Sequence, residues 1–367
     1  MKRKYGALAA AGVVLALSLS ACGDDDGGGD GGSGGGGAGD AKIGVILPDT
    51  ESSVRWEAAD RPAMEAAFEE AGIKYDIQNT EGDAEKMTAL ADSMIGDGAT
   101  VLAIVNLDSA SGAAIQEKAA EAGVLTIDYD RLTLGGSAEV YISYDNVKVG
   151  ELQGQGLADC LGDKEANIVY LNGSPTDNNA TLFAEGAHNV LDGMSNYNVV
   201  GEQAVPEWDN EEAATIFQQM YTDAGGDVDG VLAANDGLGG AAISILEGNG
   251  QAGKVPVTGQ DATVEGLQNI LAGTQCMTVF KSSVGEAQAL ADAAIALANG
   301  EEPETTGTVE DAEGGRDVPA VILDPVAITK DNIAEEIQNV FADGSMTYDD
   351  VCTGEFEQLC ADAGITP

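Results

Sequence analysis

Basic residues are scarce in this sequence. Of its 367 residues, 16 are Lys or Arg and 63 are Asp or Glu, which gives a formal net charge of −47. Nucleic-acid binding depends on a basic patch that neutralises phosphates, so this composition excludes it. The acidity favours solubility at a cell surface or in salt, and by itself it does not predict a cationic ligand.

Histidine and cysteine are too few for a typical zinc site. The sequence has one histidine, and no two of its five cysteines form a CxxC pair. Four cysteines follow the first forty residues, and an even number outside the cytoplasm is typical of two disulfides. Of the three possible connectivities we favour Cys352–Cys360 with Cys160–Cys276. The first pair requires a turn, because eight residues of continuous helix would separate the Cα atoms by about 12 Å. No metal, nucleotide or organic cofactor is predicted.

A hydrophobic run long enough to span a bilayer stably is absent from the N-terminus. Residues 7–19 are apolar and follow three basic residues, as in the h-region of an export signal. The run ends in LSAC, with Cys22 last, which looks like the lipobox of bacterial lipoproteins. We therefore predict a signal peptide at 1–21, lipidation of Cys22 and an extracytoplasmic chain that is lipid-anchored to the cell membrane. The alternative is a signal peptide with an accidental cysteine.

Residues 23–40 are Gly and Asp with one Ser and one Ala. Such a segment has no apolar surface to bury and should behave as a flexible coil. We predict that 22–40 is a lipidated tether, an arrangement typical of a binding protein or a surface enzyme. A metal site at the acidic residues 24–26 is the weaker alternative.

From residue 42 onward, short apolar runs alternate with segments of helical periodicity. The first run, Lys42–Leu47, has the composition of a buried parallel strand. The rhythm restarts near Asn167, and about 325 residues are too many for one core. We therefore predict an α/β protein with two doubly wound parallel-sheet lobes. The predicted strands are 42–47, 75–79, 101–105, 125–128, 141–143, 167–171, 199–204, 230–233, 255–259, 277–280 and 318–323.

Ligands of open parallel sheets bind beyond the carboxyl ends of the strands. In this sequence a polar, charged or indole side chain follows one predicted strand after another. These side chains are Arg55, Trp56, Asp130, Arg131, Asp177, Asn178, Asn179, Trp208, Asn235, Asp236, Asp261 and Lys281.

This set of side chains matches the chemistry of a pyranose. Asp and Asn hydrogen-bond adjacent hydroxyls, and Arg and Lys donate to ring and hydroxyl oxygens. The two tryptophans, Trp56 and Trp208, each follow a predicted strand, one in each lobe. An indole can stack on the apolar face of a sugar ring. Each residue alone has a simpler interpretation, such as a surface pair, a core tryptophan or a helix N-cap. Their coincidence at one edge of both lobes favours a sugar site.

Several of these residues lie in longer motifs. The motifs are RW at 55–56, DYDR at 128–131, YISYDN at 141–146, VGELQ at 149–153, GSPTDNNA at 173–180, AND at 234–236, GQDA at 259–262 and GTQCMTVFK at 273–281. In this order they resemble the periplasmic sugar-binding proteins of type I fold and, within them, the D-xylose-binding group. The resemblance extends over about residues 42–338.

The resemblance implies two lobes joined by a three-segment hinge. An N-terminal lobe would comprise 41–144 and 282–312, a C-terminal lobe 145–281 and 313–345, and a tail 346–367. The chain departs from the family in one extra residue before Arg55, in Cys160 and Cys276, and in the tail. The implied sugar contacts are Arg55, Trp56, Asp130, Arg131, Asp177, Asn179, Trp208, Asn235, Asp261 and Lys281.

The resemblance also implies that a monomer captures D-xylose or a related aldose between its lobes and delivers it to the permease subunits of an ABC importer. One alternative is a receptor that presents its bound state to a chemotaxis or sensor-kinase partner. Another is a sugar hydrolase that uses Asp130 and Asp261 as acid and base. Arg131 argues against the hydrolase, because it would lower the pKa of Asp130. Glucose, arabinose and ribose stay open as ligands.

Overall fold

The computed structural model describes residues 41–50 and 52–367. The predicted signal peptide, the lipidation site Cys22 and the tether lie outside the described residues. Within the described part, no helix combines the length and the apolar character needed to cross a membrane.

The strands and helices alternate along most of the chain. The strands are β1 (Lys42–Leu47), β2 (Lys74–Asn79), β3 (Val101–Ile104), β4 (Leu125–Tyr129), β5 (Val140–Tyr144), β6 (Ala166–Asn172), β7 (Tyr197–Ala204), β8 (Gly230–Ala233), β9 (Met277–Phe280), β10 (Gly307–Asp311), β11 (Arg316–Leu323) and β12 (Val326–Thr329). The helices are α1 (Arg61–Ala71), α2 (Ala84–Gly96), α3 (Ser109–Glu121), α4 (Asn146–Leu161), α5 (Asn178–Leu191), α6 (Asn210–Asp223), α7 (Asp236–Gly248), α8 (Val264–Ala272), α9 (Ser283–Ala298), α10 (Ile333–Asp343), α11 (Tyr348–Val351) and α12 (Phe356–Ala363).

Seven strands form one sheet in the order β10-β11-β5-β4-β3-β1-β2. β10 is antiparallel to β11, and the other neighbours are parallel. β3 is buried along its whole length, as expected for a strand covered on both faces. α1 and α9 pack on one face through Phe68 and Leu290, and α2 and α3 pack on the other through Met94 and Ile115. We call this sheet with its helices the first lobe.

A second sheet contains three parallel strands in the order β7-β6-β8, and β9 and β12 form a separate antiparallel pair. α4 and α5 pack so closely that a Cβ at Gly150 or Gly186 would overlap the backbone of the facing helix, and glycine permits this approach. The predicted strand at 255–259 is wrong, since that segment forms one isolated bridge between Val231 and Val257. We call these strands with their helices the second lobe.

The chain passes between the lobes after β5, between β9 and α9, and after β11. The lobe boundary implied at residue 312 is wrong, because β11 pairs in parallel with β5 of the first lobe. Val318 and Ala320 of β11 are fully buried there. The third crossing therefore follows Leu323, where the pairing of β11 with β5 ends.

The C-terminal helices α10, α11 and α12 cover α8 of the second lobe. Ile337, Val351 and Cys360 share one apolar cluster with Leu267 of α8. A disulfide joins Cys352 to Cys360, and the chain turns between them because α11 ends before the first and α12 contains the second.

A second disulfide joins Cys160, in the last turn of α4, to Cys276, directly before β9. β9 ends at Phe280, one residue before Lys281. The two disulfides are the pairs that the sequence favours, and this one connects α4 to the strand that leads into the cleft between the lobes.

Candidate functional site

The ten side chains that the resemblance implies as sugar contacts line one cavity between the two lobes. Arg55, Trp56, Asp130 and Arg131 come from the first lobe, and the other six come from the second. The space between the lining atoms, open solvent included, is about 340 Å³. The structure also places Ser52, Ser53, Phe183 and Gln260 in this lining, which we call the cleft.

Arg55 is held in the first-lobe wall by buried carboxylates. It stands directly before a π-helical turn, Trp56–Asp60, and this wide turn brings Asp60 back to its guanidinium. Nε and Nη2 of Arg55 donate to Asp60 at 2.9 and 2.6 Å, and Nη2 also donates to Glu286 at 2.6 Å. Nη1 donates to Asp130 at 3.2 Å. Asp60 and Glu286 are both fully buried, so the guanidinium has one fixed orientation.

Asp130 stays ionised although it is buried. Burial by itself would raise the pKa of this carboxyl, but Lys281, Arg55 and Arg131 together hold it below its usual value. The direction agrees with the sequence argument, and Lys281 and Arg55 contribute more than Arg131 does. An ionised Asp130 accepts hydrogen bonds and cannot donate a proton as a general acid.

The two lobes meet across the cleft through these polar groups. Asn179 Nδ2 donates to the Asp130 backbone oxygen at 2.9 Å and to its Oδ1 at 3.1 Å. Arg131 Nε lies 3.0 Å from Asp177 Oδ2, an ion-pair distance at which the N–H is not aligned for a hydrogen bond. Lys281 Nζ lies 4.0 Å from Asp130 Oδ2 and 3.6 Å from Asp261 Oδ1. The arrangement is therefore closed.

One indole comes from each lobe. Trp56 and Trp208 are 3% and 5% exposed, and their N–H groups donate to Ser52 Oγ at 3.2 Å and to Asp177 Oδ2 at 3.1 Å. Because the protein satisfies both N–H groups, the rings are fixed and can offer their faces to a flat ligand. Trp208 also requires Gly173, where a Cβ would overlap the indole.

Left-handed backbone conformations cluster at the cleft. Asp130, Trp208 and Asp261 have φ values of 60°, 59° and 94°, and Glu207 and Ala262 beside them have 55° and 48°. Positive φ is uncommon for residues other than glycine and is concentrated at functional sites. The backbone carbonyl of Asp130 accepts hydrogen bonds from Tyr141 and Ser143, which holds the turn in place.

The contributors to the site that were missed in the sequence include Phe183, Gln260 and Glu286. Phe183 lies one helical turn after Asn179 on α5, so the spacing alone could have placed it on the same face. Gln260 was within a motif, and its buried Oε1 has no hydrogen-bond partner among the described residues. Glu286 gave no local signal, because it is 231 residues from Arg55 in sequence. Burial raises the pKa of Glu286 to about 8, although Arg55 opposes the shift.

The arrangement can surround a small polyol but has no cluster that suggests bound metal. Charged and amide side chains line the cavity together with two indole rings and one phenyl ring. Among the described residues, no group of His, Cys, Asp and Glu side chains is arranged to hold a metal ion.

Comparisons with known proteins identify relatives over most of the chain. A family model described as periplasmic binding protein domain matches residues 43–302. The D-xylose-binding periplasmic protein of Escherichia coli (strain K12) is 35% identical over 303 residues, 82% of this chain and 90% of that protein. The multiple sugar-binding periplasmic receptor ChvE of Rhizobium radiobacter is 35% identical over 312 residues, 79% of this chain and 87% of the relative.

A solved structure has the same fold. It is the carbohydrate transporter solute binding protein from Chloroflexus aurantiacus in complex with D-glucose, with a TM-score of 0.76 and 29% identity. The alignment covers 84% of this chain and 97% of that one.

Proposed function

The chain belongs to the periplasmic binding protein family, as a type I sugar-binding member close to the D-xylose-binding proteins, and we propose that its cleft captures D-xylose for delivery to an ABC importer. The observation that carries the proposal is the convergence of ten polar and indole side chains, four from one lobe and six from the other, on a single cavity.

Capture follows from hinged closure. Each crossing of the chain between the lobes can bend, and open lobes would expose Asp130 and Arg131 on one side and Asp177 and Asn179 on the other. In the closed form these groups are within hydrogen-bond or ion-pair distance of each other. A sugar between the lobes would share those donors and acceptors through its hydroxyls, so that ligand binding shifts the population toward closure. The closed form is the one presented to the permease.

D-xylose is supported by the D-xylose-binding periplasmic protein of Escherichia coli, which is 35% identical to this chain. Hexoses are also candidate ligands, because one relative is named for multiple sugars and one structural neighbour is a complex with D-glucose. A thermal-shift panel of D-xylose, D-glucose, L-arabinose and D-ribose tests the choice, because a ligand that binds only the folded state stabilises it in proportion to its affinity. D-xylose should give the largest shift, and a larger shift with any other sugar would contradict the assignment.

The second candidate is a receptor role, because the relative ChvE, which is 35% identical to this chain, is named a multiple sugar-binding periplasmic receptor. Uptake of labelled D-xylose by cells lacking this chain discriminates the two roles. Lost uptake supports transport, whereas normal uptake with lost sugar sensing supports the receptor.

We propose in addition that Cys22 is lipidated and that the mature chain is a monomer tethered to the membrane by residues 22–40. The support is the LSAC sequence that ends at Cys22 and the Gly- and Asp-rich segment after it. Cell fractionation tests the anchor: wild-type chain should remain with the membrane, and Cys22→Ala should not. Sedimentation of the purified domain tests the monomer.

Hydrolysis is not part of the proposal. The relatives found are solute-binding proteins, and the ionised Asp130 cannot serve as the general acid of a glycosidase.

A further inference from the structure

A groove adjoins the cleft, and four residues line both spaces: Ser53, Arg55, Asp261 and Lys281. The space between the groove's lining atoms, open solvent included, is about 990 Å³, against about 340 Å³ for the cleft on the same measure. The four shared residues place the groove directly beside the cleft, where it is available to a group attached to a sugar in the cleft.

The rest of the groove lining is mostly apolar, in contrast to the cleft. It includes Val54 and Ala58 from the first lobe, Val264 and Phe280 from the second, and Met346 from the C-terminal segment. Val54 is 68% exposed, although it is a large apolar side chain. An apolar surface continuous with a polar binding site fits a ligand with one polar and one apolar end.

The third wall of the groove is fixed to the second lobe. Ser345, Met346 and Asp350 form it, beyond residues 43–302 that the family model matches. Gln268 Nε2 of α8 donates to the Val351 backbone oxygen at 2.9 Å, next to the disulfide of Cys352. The C-terminal segment therefore builds a permanent wall.

We propose that the groove accepts the apolar aglycone of a glycoside whose sugar occupies the cleft, so that the chain binds alkyl or aryl glycosides as well as free sugar. The inference rests on the proposed function, since the cleft must hold the sugar. The hydroxyls are satisfied by the polar cleft, and the aglycone loses its contact with water against Val54, Phe280 and Met346.

Calorimetry on the folded chain with matched glycosides tests the inference. The probes are the methyl and phenyl glycosides of D-xylose and D-glucose, each as both anomers. For the anomer that points to the groove, the phenyl glycoside should bind about tenfold more tightly than the methyl glycoside, because it buries more apolar area. The readout is the ratio of the methyl glycoside's dissociation constant to that of the phenyl glycoside of the same sugar. A change in the affinity for the sugar itself affects both constants equally and leaves this ratio unchanged.

A pair of exposed valines supplies the variant and its control. Val54→Glu puts a charge in the groove and should reduce the ratio to about one. Val199→Glu changes another exposed valine, 43% exposed, on the edge strand β7, and should leave the ratio unchanged.

The outcomes separate the two proposals. If free D-xylose or D-glucose binds and the phenyl glycosides do not, the inference is overturned and the proposed function stands. The inference also fails if Val54→Glu and Val199→Glu give the same ratio. Failure of every monosaccharide and glycoside to bind would overturn the proposed function itself.

Discussion

The two walls of the cleft are built on buried carboxylates in different ways. In the first lobe, Asp60 and Glu286 are fully buried and both bind the guanidinium of Arg55. In the second lobe, the buried Asp236 binds neutral groups: the backbone N–H of Thr263 at 2.8 Å, Gln275 Nε2 at 2.7 Å and Thr278 Oγ1 at 2.8 Å.

Each carboxylate network supports residues of the cleft. Arg55 is itself a proposed ligand contact, whereas Asp236 acts through the turn that carries Gln260 and Asp261, because its N–H donates to the Gln260 carbonyl at 3.0 Å. The first wall therefore sets a guanidinium against its buried carboxyls, and the second satisfies a carboxyl with hydrogen bonds from neutral groups alone. Burial raises the pKa of Asp236 to about 7, with only partial compensation from its neutral donors. The walls should respond differently to the loss of one partner.

Replacement of Arg55 by Met should produce the largest effect on stability. The buried carboxylate of Asp60 and the buried carboxyl of Glu286 would both lose the guanidinium, and breaking a buried pair from one side costs about 3–5 kcal/mol. Urea denaturation measures the loss in the free energy of unfolding. The matched control is Arg61→Met, which removes a partly exposed ion pair with Glu57 and a hydrogen bond to the Ile77 carbonyl, and should cost about 1–2 kcal/mol. Equal losses in both variants would refute the idea that charge balance supports this wall.

The next largest effect should be the loss of ligand affinity in Trp208→Ala. Truncating a buried aromatic removes about 3 kcal/mol or more, which is on the order of a hundredfold in the dissociation constant. Calorimetry with D-xylose measures it, and Trp56→Ala in the opposite wall gives the comparison. Gly173→Ala should weaken binding as well, since the new Cβ displaces the Trp208 ring. Unchanged affinity in Trp208→Ala would remove the indole from the site.

The sequence predicted the central strands and the position of the cleft for one physical reason. Strands β1, β3, β6 and β8 are buried on both faces and therefore read as apolar runs, and whatever follows such runs lies at one edge of a sheet. Strand β10 was missed because it is largely exposed and polar, and β12 was missed because it has only four residues. The segment 255–259 was wrongly predicted as a strand because apolar composition reports burial and not hydrogen bonding.

The supporting residues of the site were harder to predict than its lining. Glu286 reaches Arg55 only because α9 returns to the first lobe after the second crossing of the hinge, and one sequence contains no record of that packing. Asp60 is five residues from Arg55, a spacing that matters in a π-helical turn and that ordinary helix periodicity does not pair.

Asp236→Asn should destabilise the protein less than Arg55→Met does. The amide keeps the size of the side chain but places an NH₂ group against one of the donors, so one buried hydrogen bond is lost at about 1–3 kcal/mol. Urea denaturation measures the loss against Asp324→Asn, which alters an exposed carboxyl. A loss larger than that of Arg55→Met would reverse the contrast between the two walls.

The sharpest test of the contrast is the pH dependence of Glu286→Gln. The pKa of Glu286 is raised from 4.5 to about 8 in the folded chain, so the unfolded state releases this proton first as the pH rises. The free energy of unfolding therefore falls between about pH 4.5 and pH 8, and a glutamine, which does not titrate, removes that part of the fall. The free energy of unfolding of Glu286→Gln relative to wild type should rise with pH up to about pH 8. The corresponding difference for Asp236→Asn should rise only up to about pH 7. Urea titrations at several pH values, with the exposed Glu301→Gln as the flat control, measure both windows. A Glu286→Gln difference that does not change with pH would show that the first wall holds no extra proton.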